Sequence, residues 1–271
     1  MTNPETIYNL IGGDYNATRK ADPYISQCLL ALLSPEKEKS YIDIGCGTGN
    51  YTIALSELGY AFTGLDPSEA MLSFARQRAP EKDWLLGTAE KMPLSDAQFD
   101  GALAVLTIHH WLNLEKAFLE INRILMKGSR LVLFTALPEQ MEGYWLNHYF
   151  PKMMQTSIQK MPGLDQIIDA GVSAGFHLQN TASYNIHLDL EDHFLYSGKM
   201  NAAFYLDDAF RKGISSFAEI SEQAEIMTGL KGLASDIESG QIKTIQKNHQ
   251  TEKGDYIFVV LTKTAHQPID H

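Results

Sequence analysis

The chain has 271 residues, 44% of them apolar and 10% aromatic, enough to bury one large α/β core and too apolar for a disordered segment. Its formal net charge of −11, with no stripe of Lys and Arg, argues against a nucleic-acid partner, because phosphate contacts need clustered cations. No apolar run reaches the ~18 residues that a membrane span needs. Met1-Thr2-Asn3-Pro4-Glu5 shows no basic-then-apolar leader, and Cys28 and Cys46 make no disulfide framework, so a reduced, cytoplasmic setting is expected.

In chain order, residues 5–33 read as helical, with Ile25, Leu29, Leu30 and Leu33 at helical spacing, and Ser34-Pro35 ends that segment. A strand over Tyr41–Ile44 runs into Gly45-Cys46-Gly47-Thr48-Gly49. A helix follows from Asn50 to Leu58 and stops at Gly59. A second strand, Ala61–Leu65, delivers Asp66, and Pro67-Ser68 opens a helix carrying Met71, Leu72 and Ala75 on one side. Strands are expected over Trp84–Thr88 and Phe99–Thr107. Leu114, Ala117, Phe118, Ile121, Ile124 and Leu125 then form a helical face whose stop is assigned to Gly128, and Arg130–Ala136 is a strand apolar on both faces. Residues 138–162 break this rhythm with aromatics and methionines. It resumes with a helix over Leu164–Ala174 and a strand near His177–Leu188. A second irregular block, 189–253, holds one clear helix, Glu222–Ser239, before a last strand over Tyr256–Thr262.

Strict β-α alternation implies an α/β fold. We expect a doubly wound, Rossmann-like, seven-stranded and mostly parallel sheet with helices on both faces, and a helical cap built from insertions. The chain reads as a single domain over 1–271, its core at about 36–137, 163–188 and 254–264, with cap insertions at 138–162 and 189–253. Ligands of such sheets bind outside the carboxyl ends of the strands.

The loop is G-x-G-x-G followed by Asn50, and Asp66 stands 21 residues after Gly45. Glycines allow close backbone approach, and a strand-end carboxylate can bind ribose hydroxyls. A dinucleotide fingerprint would want Gly or Ala at position 50. Asn50 there points instead to a nucleoside with a small zwitterionic arm.

Four blocks in order, Ile42 to Gly49, Gly64 to Leu72, Gly87 to Leu94, and Phe99-Asp100 through His109-His110-Trp111, resemble the class I S-adenosylmethionine (SAM)-dependent methyltransferases. The branch resembled includes the quinone C-methyltransferases and many small-molecule enzymes. Asp14 to Arg19 resembles the N-terminal helix that closes over the cofactor in that branch, making 1–35 an N-terminal lid. The resemblance implies backbone contacts to the methionine part from Gly45, Cys46 and Gly47, an amide from Asn50 nearby, and ribose contacts from Asp66. It implies that Pro67 and Met71 pack on the adenine, that Thr88, Ala89 and Glu90 meet its edge, that Leu106 floors the site, and that Tyr15 and Arg19 close it. Many relatives carry Asp where this chain has Thr88.

The implied activity is transfer of a methyl group from SAM to a small, partly apolar molecule, with S-adenosylhomocysteine as product. Transfer needs mainly in-line positioning and water exclusion. His109 and His110, just past the fourth strand, are candidates to take a proton from the acceptor, or serve only to shape the loop with Trp111. No Cys or carboxylate spacing completes a metal site with them, and no metal is expected. Tyr144, Trp145, His148 and Arg211 are candidates, beside Trp111, for acceptor contact. The alternatives are an NAD(P)-dependent oxidoreductase and a non-catalytic SAM-binding relative; acceptor identity and oligomeric state stay open.

Overall fold

The computed structural model describes residues 19–218 and 223–264. The chain divides into two compact units. One, the sheet unit, comprises Pro23–Thr135, Leu164–Ala182 and 258–264; the other, the insertion unit, comprises 19–22, Ala136–Gly163 and Ser183–Ile257.

Seven strands form one sheet: β1 (Ser40–Ile44), β2 (Ala61–Asp66), β3 (Trp84–Leu86), β4 (Phe99–Val105), β5 (Leu125–Thr135), β6 (Phe176–Tyr184) and β7 (Tyr256–Lys263). Their spatial order is β3-β2-β1-β4-β5-β7-β6. β3, β2, β1, β4 and β5 run parallel, with Asp43 opposite Gly64 and Ile42 opposite Ala102. Backbone bonds Asp255 N–Tyr184 O at one end and Thr264 N–Gly175 O at the other set β6 and β7 antiparallel, so the sheet is mixed. In β5, Leu131, Val132, Leu133 and Phe134 are successive and fully buried. Successive side chains point to opposite faces, so both faces are covered, each such side chain adding roughly 1.5–3 kcal/mol.

The helices of this unit are α1 (Pro23–Leu33), α2 (Asn50–Glu57), α3 (Glu69–Arg78), α4 (Leu114–Ile124) and α5 (Leu164–Ser173). α1 belongs to the sheet unit and packs on β4 and β5. Of the helix expected over 5–33, Pro23–Leu33 forms and 19–22 is not helical; the part before Arg19, with the start of the lid expected over 1–35, lies outside the described residues. Arg130 explains how α1 ends: its guanidinium donates to the Leu32 carbonyl (3.0 Å) and to the Ser34 hydroxyl (2.8 Å), satisfying a last-turn carbonyl that has no helical partner. Ser68 caps α3 by accepting from Met71 N (3.3 Å), and Asn113 caps α4 by accepting from Lys116 N (2.8 Å).

One boundary is corrected. α4 ends at Ile124, not at Gly128, and β5 begins at once. Phe99 pairs with Leu125 but Gly101 pairs with Arg130, so β5 carries extra residues there, and Gly128 (φ +78°) turns the chain inside that irregularity. A glycine after an amphipathic run reads as a helix stop; here it serves a strand.

The insertion unit is helical. Its segments include Pro151–Gln159, Gln223–Ser239 and Ile242–Asn248. Its core holds Tyr144, Trp145, Phe150 and Tyr205, each no more than 1% exposed. Glu225 accepts from Lys152 N (3.0 Å) and Met153 N (2.9 Å), placing a carboxylate at the start of Pro151–Gln159. Asp255, buried, receives Lys199 Nζ on both oxygens (2.7 and 2.8 Å) and Ile186 N (2.8 Å). No helix among the described residues is long and apolar enough to cross a membrane.

Candidate cofactor and active site

Four loops leave the carboxyl ends of the adjacent parallel strands β3, β2, β1 and β4, and they carry the motif residues. The loop after β1 is shaped by its own backbone. Gly45 N and Cys46 N both donate to Leu65 O (2.7 and 3.0 Å), and Gly49 N donates to Cys46 O (2.9 Å). The amides of Gly45 and Cys46 are therefore engaged by β2 and the Cys46 carbonyl by Gly49, so the loop's shape is fixed from within.

Gly45 and Gly49 must be glycine for two reasons. Both have positive φ (+73° and +79°), and a Cβ on either would overlap a neighbour: the Thr107 side chain at Gly45 and the Trp84 ring at Gly49. Gly47 also has positive φ (+57°), but a Cβ there would meet nothing within 4 Å. The wall at Gly47 is open.

Asp66 closes this loop. Its Oδ2 accepts from Gly47 N (2.8 Å) and its Oδ1 from Ser68 N (2.8 Å). An ionised carboxylate has about four acceptor sites, so two remain for a ribose diol. Burial pushes its pKa up to about 6, against the opposing pull of the Ser68 and Gly47 amides. Asp43, inside β1, is also buried; it accepts from the Thr52 hydroxyl (2.7 Å), and burial, with Asp66 adding, lifts it to about 6. The Cys46 thiol is pushed well up by burial, then by Asp66 and Asp43, which removes it as a nucleophile. Thr48 Oγ1 is buried and has no hydrogen-bond partner among the described residues. Two buried carboxylates, an open glycine wall and a buried hydroxyl with spare capacity fit a cationic nucleoside.

The other expected contacts distribute unevenly. Pro67 is exposed, whereas Met71 is buried. Thr88 is exposed and exchanges backbone bonds with Lys91 (3.2 and 3.1 Å); Ala89 is buried. The Glu90 carboxylate accepts from Leu112 N (2.7 Å) and Asn113 N (3.2 Å). Asn50 Oδ1 accepts from Arg78 Nη1 (2.6 Å), which also donates to Thr48 O (2.9 Å), so the amide serves the loop's frame. Leu106 holds φ +53°, rare for a branched side chain, while its N–H donates to Phe134 O (2.8 Å). His109 and His110 stand on a short 3-10 turn, Ile108–His110, with ring centroids 3.9 Å apart, and Trp111 meets Phe118 edge-on at 5.9 Å.

Sequence reading missed Thr107, Trp84, Arg78 and Asp43. Asp43 had a signal, an acid in the middle of the apolar run Tyr41-Ile42-Asp43-Ile44; Thr107, Trp84 and Arg78 act through contacts distant in sequence.

In the insertion unit, Arg19 makes a two-point ion pair with buried Asp192 (2.5 and 3.3 Å), so its guanidinium is engaged within that unit. Tyr15 lies outside the described residues. Tyr144 stacks on Tyr196 (3.8 Å, 8°) and donates its hydroxyl to Asp255 O, while Trp145 Nε1 donates to Lys199 O (3.2 Å). Both rings are core. His148 is exposed beside Tyr149. Arg211 donates to Tyr205 O (2.6 Å) and pairs with Asp208 (3.1 Å). No group of three or more metal-ligating side chains occurs among the described residues.

Strand order and loop chemistry together define the class I methyltransferase fold. The methyltransferase domain family matches residues 42–133. A crystal structure described as a methyltransferase from an antibiotic biosynthesis pathway of Anabaena variabilis superposes with a TM-score of 0.80 at 31% identity, covering 91% of this chain and 99% of that one. The chain belongs to the class I SAM-dependent methyltransferases. It is 32% identical over 132 residues to a malonyl-[acyl-carrier protein] O-methyltransferase of Serratia marcescens, covering 49% of this chain and 51% of that one. It is 27% identical over 131 residues to a ubiquinone/menaquinone biosynthesis C-methyltransferase of Rubrivivax gelatinosus, covering 48% and 51%. The chain spans about half the length of these curated relatives. These findings give no support to the nicotinamide oxidoreductase alternative.

Proposed function

We propose that this chain binds SAM at the tips of β1 and β2 and directs its methyl group onto a small, partly apolar acceptor by in-line displacement. The observation that carries this reading is the Asp66 carboxylate, held by Gly47 N and Ser68 N with acceptor capacity to spare under an open glycine wall. Bound there, SAM supplies an electrophilic methyl on a sulfonium. Asp66 would hold the ribose, the loop at Gly45–Gly49 would flank the methionine arm, and Ala89 with Pro67 would border the base. Asp43 and Asp66 place negative charge under a cationic ligand, which favours the charged donor over its neutral product. The turn at Ile108–His110 and Trp111 would face the acceptor. His109 and His110 shape that turn, and His109 would take a proton only where the acceptor must lose one.

A small acceptor agrees with the ubiquinone/menaquinone biosynthesis C-methyltransferase that this chain resembles, whereas the malonyl-[acyl-carrier protein] O-methyltransferase is named for an acceptor carried on a protein. We place the protein in a reducing, cytoplasmic setting, without a metal in the reaction and without nucleic acid as partner, as the composition suggests.

Calorimetry with S-adenosylhomocysteine tests the reading. Micromolar binding, about −8 kcal/mol, is expected for the unaltered chain. Asp66→Ala should weaken it by about ten- to a hundredfold, because hydrogen bonds to a charged acceptor are lost. Equal affinity in the two proteins would remove Asp66 from the role given to it. Tight binding with no transfer to any of a broad acceptor panel would favour a non-catalytic relative instead.

A further inference from the structure

The segment that carries His109, His110 and Trp111 is suspended at both ends from residues of the cofactor loops. At its start, the Thr107 side chain fills the place that a Cβ on Gly45 would take. Within it, His110 N donates to Thr107 O (2.8 Å) and Trp111 N to Ile108 O (3.1 Å), so the turn is a single hydrogen-bonded piece. At its end, Leu112 N and Asn113 N both donate to one oxygen of Glu90 (2.7 and 3.2 Å). Leu112 is 88% exposed, so apolar packing does little to hold this end, and the carboxylate is its visible anchor. Glu90 itself is fixed from behind. Met92 N donates to Glu120 on α4 (2.8 Å), and Arg123 on α4 donates to Leu94 O (2.8 Å).

We propose that Glu90 is a positioning residue that couples the adenosine-side loop, 87–90, to the acceptor-side turn, 107–113. This rests on the methyltransferase reading above and deepens it. The resemblance implies a place for Glu90 at the adenine edge, and one of its carboxylate oxygens also holds the backbone of the neighbouring loop. A ligand that settles residues 88–90 therefore settles the far end of the His109–Trp111 turn through two charge-assisted hydrogen bonds, while the same ligand at Gly45 steadies the near end through Thr107. The device tightens the acceptor side when the donor side is filled.

Backbone hydrogen exchange over 109–113, read by mass spectrometry, tests this without any acceptor. It is compared in the absence and presence of S-adenosylhomocysteine, at a concentration that calorimetry shows to saturate each protein. In the unaltered chain the ligand should slow exchange across 109–113 by about tenfold, the worth of one charge-assisted hydrogen bond. Glu90→Gln keeps a carbonyl acceptor and should retain most of that slowing. Glu90→Ala should lose it, the ligand changing exchange there by less than about twofold. Ligand-dependent slowing that survives in Glu90→Ala overturns the proposal, and so does its absence in the unaltered, ligand-saturated chain. Should Glu90→Ala not fold, Glu90→Leu, which keeps side-chain bulk without an acceptor, takes its place: loss of the slowing supports the coupling, and slowing that survives overturns it. A chain that gives no calorimetric signal with the ligand overturns the methyltransferase reading itself, a result distinct from bound ligand without coupling.

Discussion

The glycine-loop region and the aromatic core of the insertion unit are both rich in buried polar groups, yet they treat those groups in opposite ways. Around the loop, Asp66 accepts two backbone amides and keeps capacity, Thr48 Oγ1 has no partner among the described residues, and Gly47 opens onto free space. In the insertion unit the Tyr144 hydroxyl is bound to Asp255 O, Trp145 Nε1 to Lys199 O, Asp255 to Lys199 and Ile186, and Asp192 to Arg19. Buried polar groups with capacity left over, gathered beside an open glycine wall, mark ligand chemistry, because desolvating them without a partner is unfavourable unless something binds; a single such group, like Ser197 Oγ in the insertion unit, does not. A buried polar group whose partners are supplied within the fold marks scaffolding.

The contrast can be broken most forcefully at Tyr144. Tyr144→Ala should cost about 3–5 kcal/mol in urea unfolding, since it empties a fully buried ring site and orphans a carbonyl. The protein that remains folded should bind S-adenosylhomocysteine within about threefold of the parent, given that mutations without shared partners act independently. A large loss of affinity would erase the distinction between the two regions. Next comes Gly45→Ala. Its methyl group lands on Thr107 at a positive φ, so a destabilisation of about 2–4 kcal/mol is expected, together with lost ligand affinity. Stability and affinity that both stay near the parent's would show that the loop does not need its glycine.

The smallest effect sharpens the comparison through pH. Burial raises Asp43 and Asp66 from 3.8 to about 6. Between those values the folded chain retains protons that the unfolded chain has released. The stabilising contribution of these two groups is therefore full below pH 3.8 and is lost as pH rises through about 6. Ligand affinity should move the other way. The ribose needs ionised Asp66, so binding should weaken by about tenfold per pH unit below 6. Calorimetry and thermal melts across pH 5 to 8 read the two trends separately, and parallel trends would contradict the assignment.

What the sequence made readable follows from how local each feature is. The glycine loop, Asp66 and the β-α rhythm of residues 36–137 are written in neighbouring residues, and the structure reproduces them with strand and helix limits shifted by a few positions. Glu90, Asn50 and Arg19 were harder, because residue type announces a polar role but not a partner. Their partners lie 22, 28 and 173 residues away. Tyr144 and Trp145 carry an aromatic signal that suits a pocket wall and a core equally; only burial separates the two. Gly128 shows a third kind of ambiguity, since the same left-handed residue that ends a helix also turns an irregular strand.

Trp84 gives the loop an optical consequence. Its indole donates to Ala79 O (2.9 Å), and its ring lies where side chains on Gly49 and Gly64 would otherwise be. The chain has three tryptophans, and this one is wedged beneath the backbone that would clasp the nucleoside. Any rearrangement of that backbone changes the polarity and rigidity around the fluorophore, so emission from Trp84 offers a label-free clock for cofactor arrival in stopped-flow mixing.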